Sequence, residues 1–161
     1  MRVVILATAA CVPAFAASGA DLPPAIQALG ETIVLQTHAL GAQVYECKAD
    51  ASGKTIWQFR EPIATLMRDG KTIGRHYAGP NWEIEGSTVV GKVAANAPGA
   101  TSGDVAWLKL NVTDRHGDGP LKDVTTVQRI DTKGGALSGA CDKAGDFRAE
   151  AYSADYIFLR K

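Results

Sequence analysis

The chain has 161 residues, and its 17 Lys and Arg balance its 17 Asp and Glu, so the formal net charge at pH 7 is zero. Binding to nucleic acid or to an anionic membrane surface requires a basic excess or a basic patch. The sequence has neither, and we expect no nucleic-acid partner.

The first predicted element is a secretory signal peptide at residues 1–16. Arg2 supplies one positive charge, residues 3–12 are apolar, and Ala14-Phe15-Ala16 matches the A-x-A rule for signal peptidase. We expect cleavage near residues 16–20 and export to the periplasm or the extracellular space. The apolar run is much shorter than the ~20 residues that a membrane-spanning helix needs, so no transmembrane segment is expected.

The cysteines support the same compartment. Cys11 follows a weak match to a lipoprotein processing site, but Thr8 replaces the preferred Leu, so we expect Cys11 to leave with the signal peptide. Cys47 and Cys141 then remain, and in an exported chain two cysteines are expected to form a disulfide. A metal or redox pair would favour a C-x-x-C spacing, which the sequence lacks.

Removal of 16 of the 161 residues leaves 145, which suits one domain with a sizeable core. Residues 17–30 form a lead segment with at most one helical turn, and residues 94–104 are small and polar, as in a surface loop. The rest of residues 31–161 alternates with period two, which indicates strands. We predict an all-β fold, an antiparallel β-sandwich or a partly closed β-barrel, with nine short strands: Thr32–Gln36, Ala42–Lys48, Thr55–Arg60, Thr72–Tyr77, Asn81–Glu85, Thr88–Val93, Val105–Thr113, Val124–Thr132 and Ala151–Leu159.

The stretch "HYAGPNWE" at residues 76–83 has the highest density of chemically capable side chains. Strand alternation assigns Tyr77 and Trp82 to the core on either side of the turn, which places His76 and Glu83 together on the outer face. One interpretation is an acid–base pair of His76 with Glu83 or Asp155. The other is that His76 bonds a backbone group and Glu83 is solvated.

Further along the chain, Tyr152, Tyr156 and Phe158 form an aromatic stripe on the last strand, which is most often packing. A ligand platform is the functional alternative, with a saccharide or another small molecule on Trp82, Trp107 and Tyr156. Arg129 would bind a carboxylate or pair with Asp155 or Glu46. The ligand-binding set expected from the sequence is His76, Glu83, Trp82, Trp107, Arg129, Asp155 and Tyr156.

Other site types lack the residue patterns that they require. His38, His76 and His116 lie in separate segments with no short-range spacing, so we expect no metal site. "GGALSG" at residues 134–139 has Ala136 where a dinucleotide-binding loop needs its second glycine, and no helix is predicted after it. We therefore expect no cofactor and no nucleotide-dependent dehydrogenase.

Several blocks in order carry a family resemblance: "GAQVYEC" at residues 41–47, "GRHYAGPNWE" at 74–83, "GSTVVGKV" at 86–93, "VTTVQRIDTKGG" at 124–135, Cys141 and "YSADYIFLR" at 152–160. The chain resembles the secreted domain-of-unknown-function 3455 family. The resemblance implies an exported all-β protein of unsettled activity. "VAWLKL" at residues 105–110 departs from the family's Ile-Pro-Trp-Leu-Leu-Leu run, and Lys109 there predicts an exposed face.

The function expected from the sequence is a non-catalytic binding or structural module for a small molecule or a saccharide. The alternative is an extracytoplasmic enzyme that uses His76 with Glu83 or Asp155. Nothing in the sequence predicts the oligomeric state.

Overall fold

The computed structural model describes residues 22–161. Within that range the chain forms eight strands and one short 3-10 helix: Pro24–Ile26, β1 Thr32–Ala49, β2 Thr55–Arg68, β3 Lys71–Tyr77, β4 Asn81–Ile84, β5 Ser87–Ala97, β6 Trp107–His116, β7 Thr126–Gly134 and β8 Phe147–Arg160. Every strand pairs antiparallel with the next, and β1 pairs with β8, which closes the ring of hydrogen bonds into an irregular barrel. The all-β prediction is confirmed.

Several boundaries differ from the prediction. The strand predicted to end at Arg60 continues to Arg68, and the strand predicted to begin at Ala151 begins at Phe147. The first two predicted strands are one 18-residue strand, β1, because the Gly between them lies inside the sheet. The predicted loop at residues 94–104 begins later, since β5 continues to Ala97. The predicted signal peptide, its cleavage site and Cys11 lie outside the described residues. No helix in residues 22–161 is long and apolar enough to cross a membrane.

The core has two parts, one inside the barrel and one outside it. Buried residues of seven strands form the main core, which includes Trp82, Tyr156 and Phe158, and Ile73 of β3 packs against it. A second cluster lies on the outer face, where Leu22 and Ile26 of the lead segment cover Ile157 and Leu159 of β8. The lead segment thereby buries apolar side chains that would otherwise face water on this side of the sheet.

Polar side chains hold the lead segment in place. The Gln128 amide Nε2 donates to the Ile26 carbonyl over 2.6 Å, and the Lys109 amine donates to the Gln27 carbonyl over 2.8 Å. The face around Lys109, which the sequence predicts to be exposed, is therefore partly covered. The charged end of Lys109 satisfies a backbone carbonyl of the lead segment.

The disulfide between Cys47 and Cys141 is formed. It ties the connection between β7 and β8 to the end of the β1–β2 pair. Backbone bonds reinforce the same contact, since the Cys47 N–H donates to Asp146 O and the Trp57 N–H donates to Gly139 O. The sequence-based pairing of the two cysteines is confirmed.

One side of the barrel wall has an opening, because the β3–β4 hairpin is shorter than its neighbours. Pairing of β2 with β3 stops at Ala64 opposite His76, and pairing of β4 with β5 stops at Val90 opposite Asn81. Both outer strands continue past the hairpin turn, β2 back to Thr55 and β5 on to Ala97. Above the turn, no described strand fills the space between residues 58–63 and 92–97. We call this gap the wall opening.

Candidate functional site

An interior cavity of about 480 Å³ lies beside the wall opening. Its apolar lining includes Phe59, Pro62, Val93, Val105, Leu108 and Leu110. Its aromatic and polar lining includes Gln43, Tyr45, His76, Trp82, Arg129 and Tyr156, and the turn at Gly79 and Pro80 borders it. The volume falls within the ~300–1,000 Å³ typical of small-molecule pockets. No Asp or Glu of residues 22–161 lines the cavity.

His76 lies inside the barrel and is 3% exposed. Its ring stacks on Trp82 with 4.6 Å between ring centroids, and its Nδ1 lies 2.8 Å from the Asn81 carbonyl oxygen. Because a carbonyl only accepts, Nδ1 carries the proton and Nε2 keeps its lone pair. Burial lowers the pKa of His76 to about 4, so the imidazole is neutral at pH 7.

The structure separates His76 from Glu83, which the sequence places on one outer face. Residues that face each other in an antiparallel pair project to the same side, and here His76 faces Trp82 while Arg75 faces Glu83. Glu83 lies outside, where its carboxylate accepts from Arg75 over 2.8 Å and from the Tyr77 hydroxyl over 3.3 Å. The bond from Arg75 is the main reason that the pKa of Glu83 is lowered. The shared outer face and the core position of Tyr77 are therefore wrong, whereas Trp82 is in the core.

The other predicted partners are also apart. Asp155 lies on the outer surface, where it pairs with His38 over 2.7 Å instead of meeting His76. Trp107 packs into the outer cluster against the lead segment and does not join Trp82 and Tyr156. Trp82 and Tyr156 do meet inside the barrel, with ring centroids 5.5 Å apart. The three-residue aromatic platform is thus not formed, and its two inner members belong to the cavity.

Arg129 is a partly buried cation in the cavity wall. Its Nε and Nη2 both donate to the Ala106 carbonyl oxygen, over 3.1 Å and 2.8 Å. Neither of the acids that the sequence suggested reaches it, because Glu46 pairs with Lys48 and Arg60. No carboxylate of the described residues forms an ion pair with Arg129, so the charge of the guanidinium is not neutralised by the protein around the cavity.

Two residues of the site were not predicted, Gln43 and Tyr45 of β1. Both point inward and are buried, and the Tyr45 hydroxyl donates to the Gly135 carbonyl over 2.7 Å. A signal for them exists in the sequence, because Gln43 and Tyr45 alternate along β1 with Cys47, for which a disulfide is expected. A Gln at an inward-facing strand position places a polar side chain in the core, and this feature could have indicated Gln43 as a site residue.

Buried hydrogen-bond donors without a partner mark this part of the cavity. Gln43 Nε2 and Trp82 Nε1 are both inaccessible to solvent and have no partner in hydrogen-bond geometry among residues 22–161. Buried polar groups are nearly always paired in folded proteins, and an unpaired one costs about 1–3 kcal/mol. The two donors lie beside tyrosine hydroxyls, Gln43 at Tyr152 and Trp82 at Tyr156, so polar groups gather at this side of the cavity.

The polar groups of the cavity meet around the Tyr156 hydroxyl. Burial raises the pKa of Tyr156, and nearby Arg129, Tyr152 and Trp82 partly oppose that rise. The Tyr152 hydroxyl lies 3.4 Å from the Tyr156 hydroxyl, and its pKa is also raised by burial. The Gln43 amide lies beside Tyr152 but outside normal hydrogen-bond geometry. Donor groups are thus concentrated in one corner of an otherwise apolar cavity.

The three histidines do not converge. His38 and His116 are on the outer surface, paired with Asp155 and Asp114, and His76 is inside. Across the part of the chain that the structure describes, no group of three or more His, Cys, Asp or Glu side chains is arranged to hold a metal ion.

Comparison with known proteins gives one family match. A family model described as "Protein of unknown function (DUF3455)" matches residues 28–72 and 67–160. No curated protein and no solved structure matches the chain.

Proposed function

The chain belongs to the DUF3455 family, and we propose that it binds a small, largely apolar molecule in the barrel cavity without catalysing a reaction. The observation that carries this proposal is the cavity itself, which is lined by apolar and aromatic side chains and has donor groups in one corner. Pockets with an apolar lining and a few convergent polar groups are the usual form of small-molecule sites.

The placement of the histidine supports binding over acid–base catalysis. His76 is neutral and bonded to a backbone carbonyl, and both Glu83 and Asp155 face the other side of the sheet. A general base needs its partner groups within hydrogen-bond reach. The position of the aromatic rings favours a compact apolar ligand over a saccharide, because Trp82 and Tyr156 lie inside the barrel and not on an open face.

The test uses N-phenyl-1-naphthylamine, a neutral aromatic probe whose fluorescence rises when it leaves water. We expect saturable binding with one probe per chain. The wall opening supplies a variant, Val93→Lys, which places a charge on a half-exposed side chain that lines the cavity. Full burial of a valine side chain is worth about 1.5 kcal/mol, and the variant loses about half of that apolar contact with the probe. This loss and the added charge together should weaken probe binding several-fold or more.

The matched control is Ile63→Lys. Ile63 is about as exposed as Val93 and lies on β2, the strand on the other side of the wall opening. Because Ile63 does not line the cavity, this variant should bind the probe like the unmodified chain. Equal weakening by both variants would indicate binding to the outer surface. Absence of saturable binding in the unmodified chain would refute the proposal.

We also propose that the protein is exported after removal of the signal peptide and that the mature chain is one domain. The Cys47–Cys141 disulfide supports export, because such bonds persist in oxidising compartments. N-terminal sequencing of the protein from a bacterial periplasmic fraction should give a start near residues 17–20, and an intact residue 1 on the extracted protein would contradict export by this route.

A further inference from the structure

The strongest unexplained feature of the cavity is its charge. Arg129 lies in the wall as a partly buried cation, and no Asp or Glu of the described chain lines the cavity or forms an ion pair with it. A cation removed from water is costly unless an anion or several acceptors face it. In the described structure Arg129 donates twice to one backbone carbonyl, that of Ala106, and it also lies beside the Tyr156 hydroxyl.

The unpaired groups around Arg129 are of the same type. Gln43 Nε2 and Trp82 Nε1 are donors, and each belongs to a side chain that is 1% exposed. Both residues line the cavity, as do Arg129 and Tyr156. Both donor atoms are inaccessible, and they lie beside tyrosine hydroxyls, Gln43 at Tyr152 and Trp82 at Tyr156. Arg129, which is partly exposed, is the donor of this set that a ligand reaches without displacing a side chain.

Resting on the proposed binding function, we infer that the ligand carries a carboxylate or a similar oxyanion on an apolar body, and that Arg129 holds that oxyanion. A carboxylate has two acceptor oxygens, and a guanidinium has five N–H donors, of which one on Nε and one on Nη2 bond the Ala106 carbonyl. The apolar body then lies against Leu108, Leu110 and Val105, and the ligand enters through the wall opening between β2 and β5.

The neutral state of His76 fits the same ligand. Burial, with nearby Arg129, keeps the imidazole uncharged while its Nδ1–H donates to the Asn81 carbonyl. The cationic character of the lining therefore comes from Arg129 inside and Arg60 at the opening. Arg60 is already paired with Glu46 and Glu61. Arg129 is therefore the cation that remains for an anionic ligand.

The test compares two competitors of nearly the same shape, naphthalene-2-carboxylate and naphthalene-2-carboxamide, for displacement of N-phenyl-1-naphthylamine. We expect the carboxylate to compete at least tenfold more strongly, since hydrogen bonds to charged groups are roughly twice as strong as neutral ones. Arg129→Gln should remove that preference, measured as the ratio of the two competitors' inhibition constants, because a neutral amide does not attract the carboxylate more than the carboxamide. Arg75→Gln, an exposed arginine paired with Glu83 on the outer face, is the matched control and should keep the preference.

Arg129 also bonds the Ala106 carbonyl, so a second variant covers the case in which Arg129→Gln does not fold. Arg129→Lys keeps a cation and an N–H donor for that carbonyl, so it should fold and retain a reduced carboxylate preference; equal competition by the two naphthalene compounds in this variant would refute the role of the cation. If the probe binds but both competitors displace it equally, the oxyanion inference is refuted and the binding function stands. If the probe does not bind, both are refuted.

Discussion

The buried neutral His76 predicts a loss of stability on mild acidification. An unfolded histidine titrates near pH 6.5, whereas burial lowers the pKa of His76 in the folded chain to about 4. Between these two pH values the imidazole of His76 is mostly protonated in the unfolded state and mostly unprotonated in the folded state. The stabilising effect is therefore complete above pH 6.5 and is lost as the pH falls toward 4.

The magnitude follows from the width of that window. One pKa unit corresponds to about 1.36 kcal/mol, so the free energy of unfolding should fall by about 2 kcal/mol between pH 7.5 and pH 5. That change is a considerable fraction of the free energy of unfolding of a typical domain, which is roughly 5–15 kcal/mol. Carboxyl groups with a lowered pKa, those of Asp50, Glu83 and Asp104, contribute stability above their ordinary pKa near 4 and lose it below, outside this interval.

The assay is urea unfolding followed by tryptophan fluorescence at pH 7.5 and pH 5. His76→Asn keeps an N–H donor for the Asn81 carbonyl and removes the titrating ring, so its stability should be lower at both pH values and nearly independent of pH between them. His38→Asn removes an exposed histidine and should keep the fall. A variant at His76 that loses as much stability on acidification as the unmodified chain would refute the reasoning.

Two further changes test the fold. Replacing Cys47 and Cys141 by Ser should lower the free energy of unfolding by roughly 4–5 kcal/mol, because the bond closes a 94-residue loop; a midpoint in urea unaffected by the replacement would contradict this. Gly91→Ala should cost about 1–3 kcal/mol, because the added methyl would lie 2.8 Å from the buried Trp82 ring. Gly103→Ala, with its nearest neighbour atom at 3.7 Å, is the control in the same urea measurement and should be nearly neutral.

Strand alternation was enough to predict an all-β fold, but not the number of strands. Gly41 looks like a break between two strands in the sequence. In the structure it lies inside β1, where a side chain would collide with the Ile63 carbonyl of β2. A glycine that allows two strands to approach closely and a glycine that ends a strand are the same letter in a sequence. Closure of the ring depends on the pairing of β1 with β8, which local patterns do not encode.

The site was predicted in part, for a related reason. Alternation within β3 and within β4 was correct, but it does not say which face of one strand matches which face of the next. That depends on the register of the hairpin, in which Tyr77 faces Asn81 and three residues form the turn. The same register places His76 opposite Trp82. Assigning the aromatic Tyr77 to the core inverts the two faces of β3 relative to β4. That inversion places His76 and Glu83 on one face in the sequence prediction, whereas the structure places them on opposite faces.

The turn at the centre of "HYAGPNWE" connects these observations. It ends the β3–β4 hairpin at Tyr77 and Asn81 while the 14-residue β2 and the 11-residue β5 continue past it. A longer hairpin would fill the wall between those strands and close the cavity from the side. The turn also brings the Asn81 carbonyl to His76, where it accepts from Nδ1 and fixes the ring, while burial keeps the imidazole neutral beneath the opening. The hairpin thus leaves Arg129 as the inner cation of a cavity that opens through the wall, which is the arrangement that an anionic, mainly apolar ligand requires.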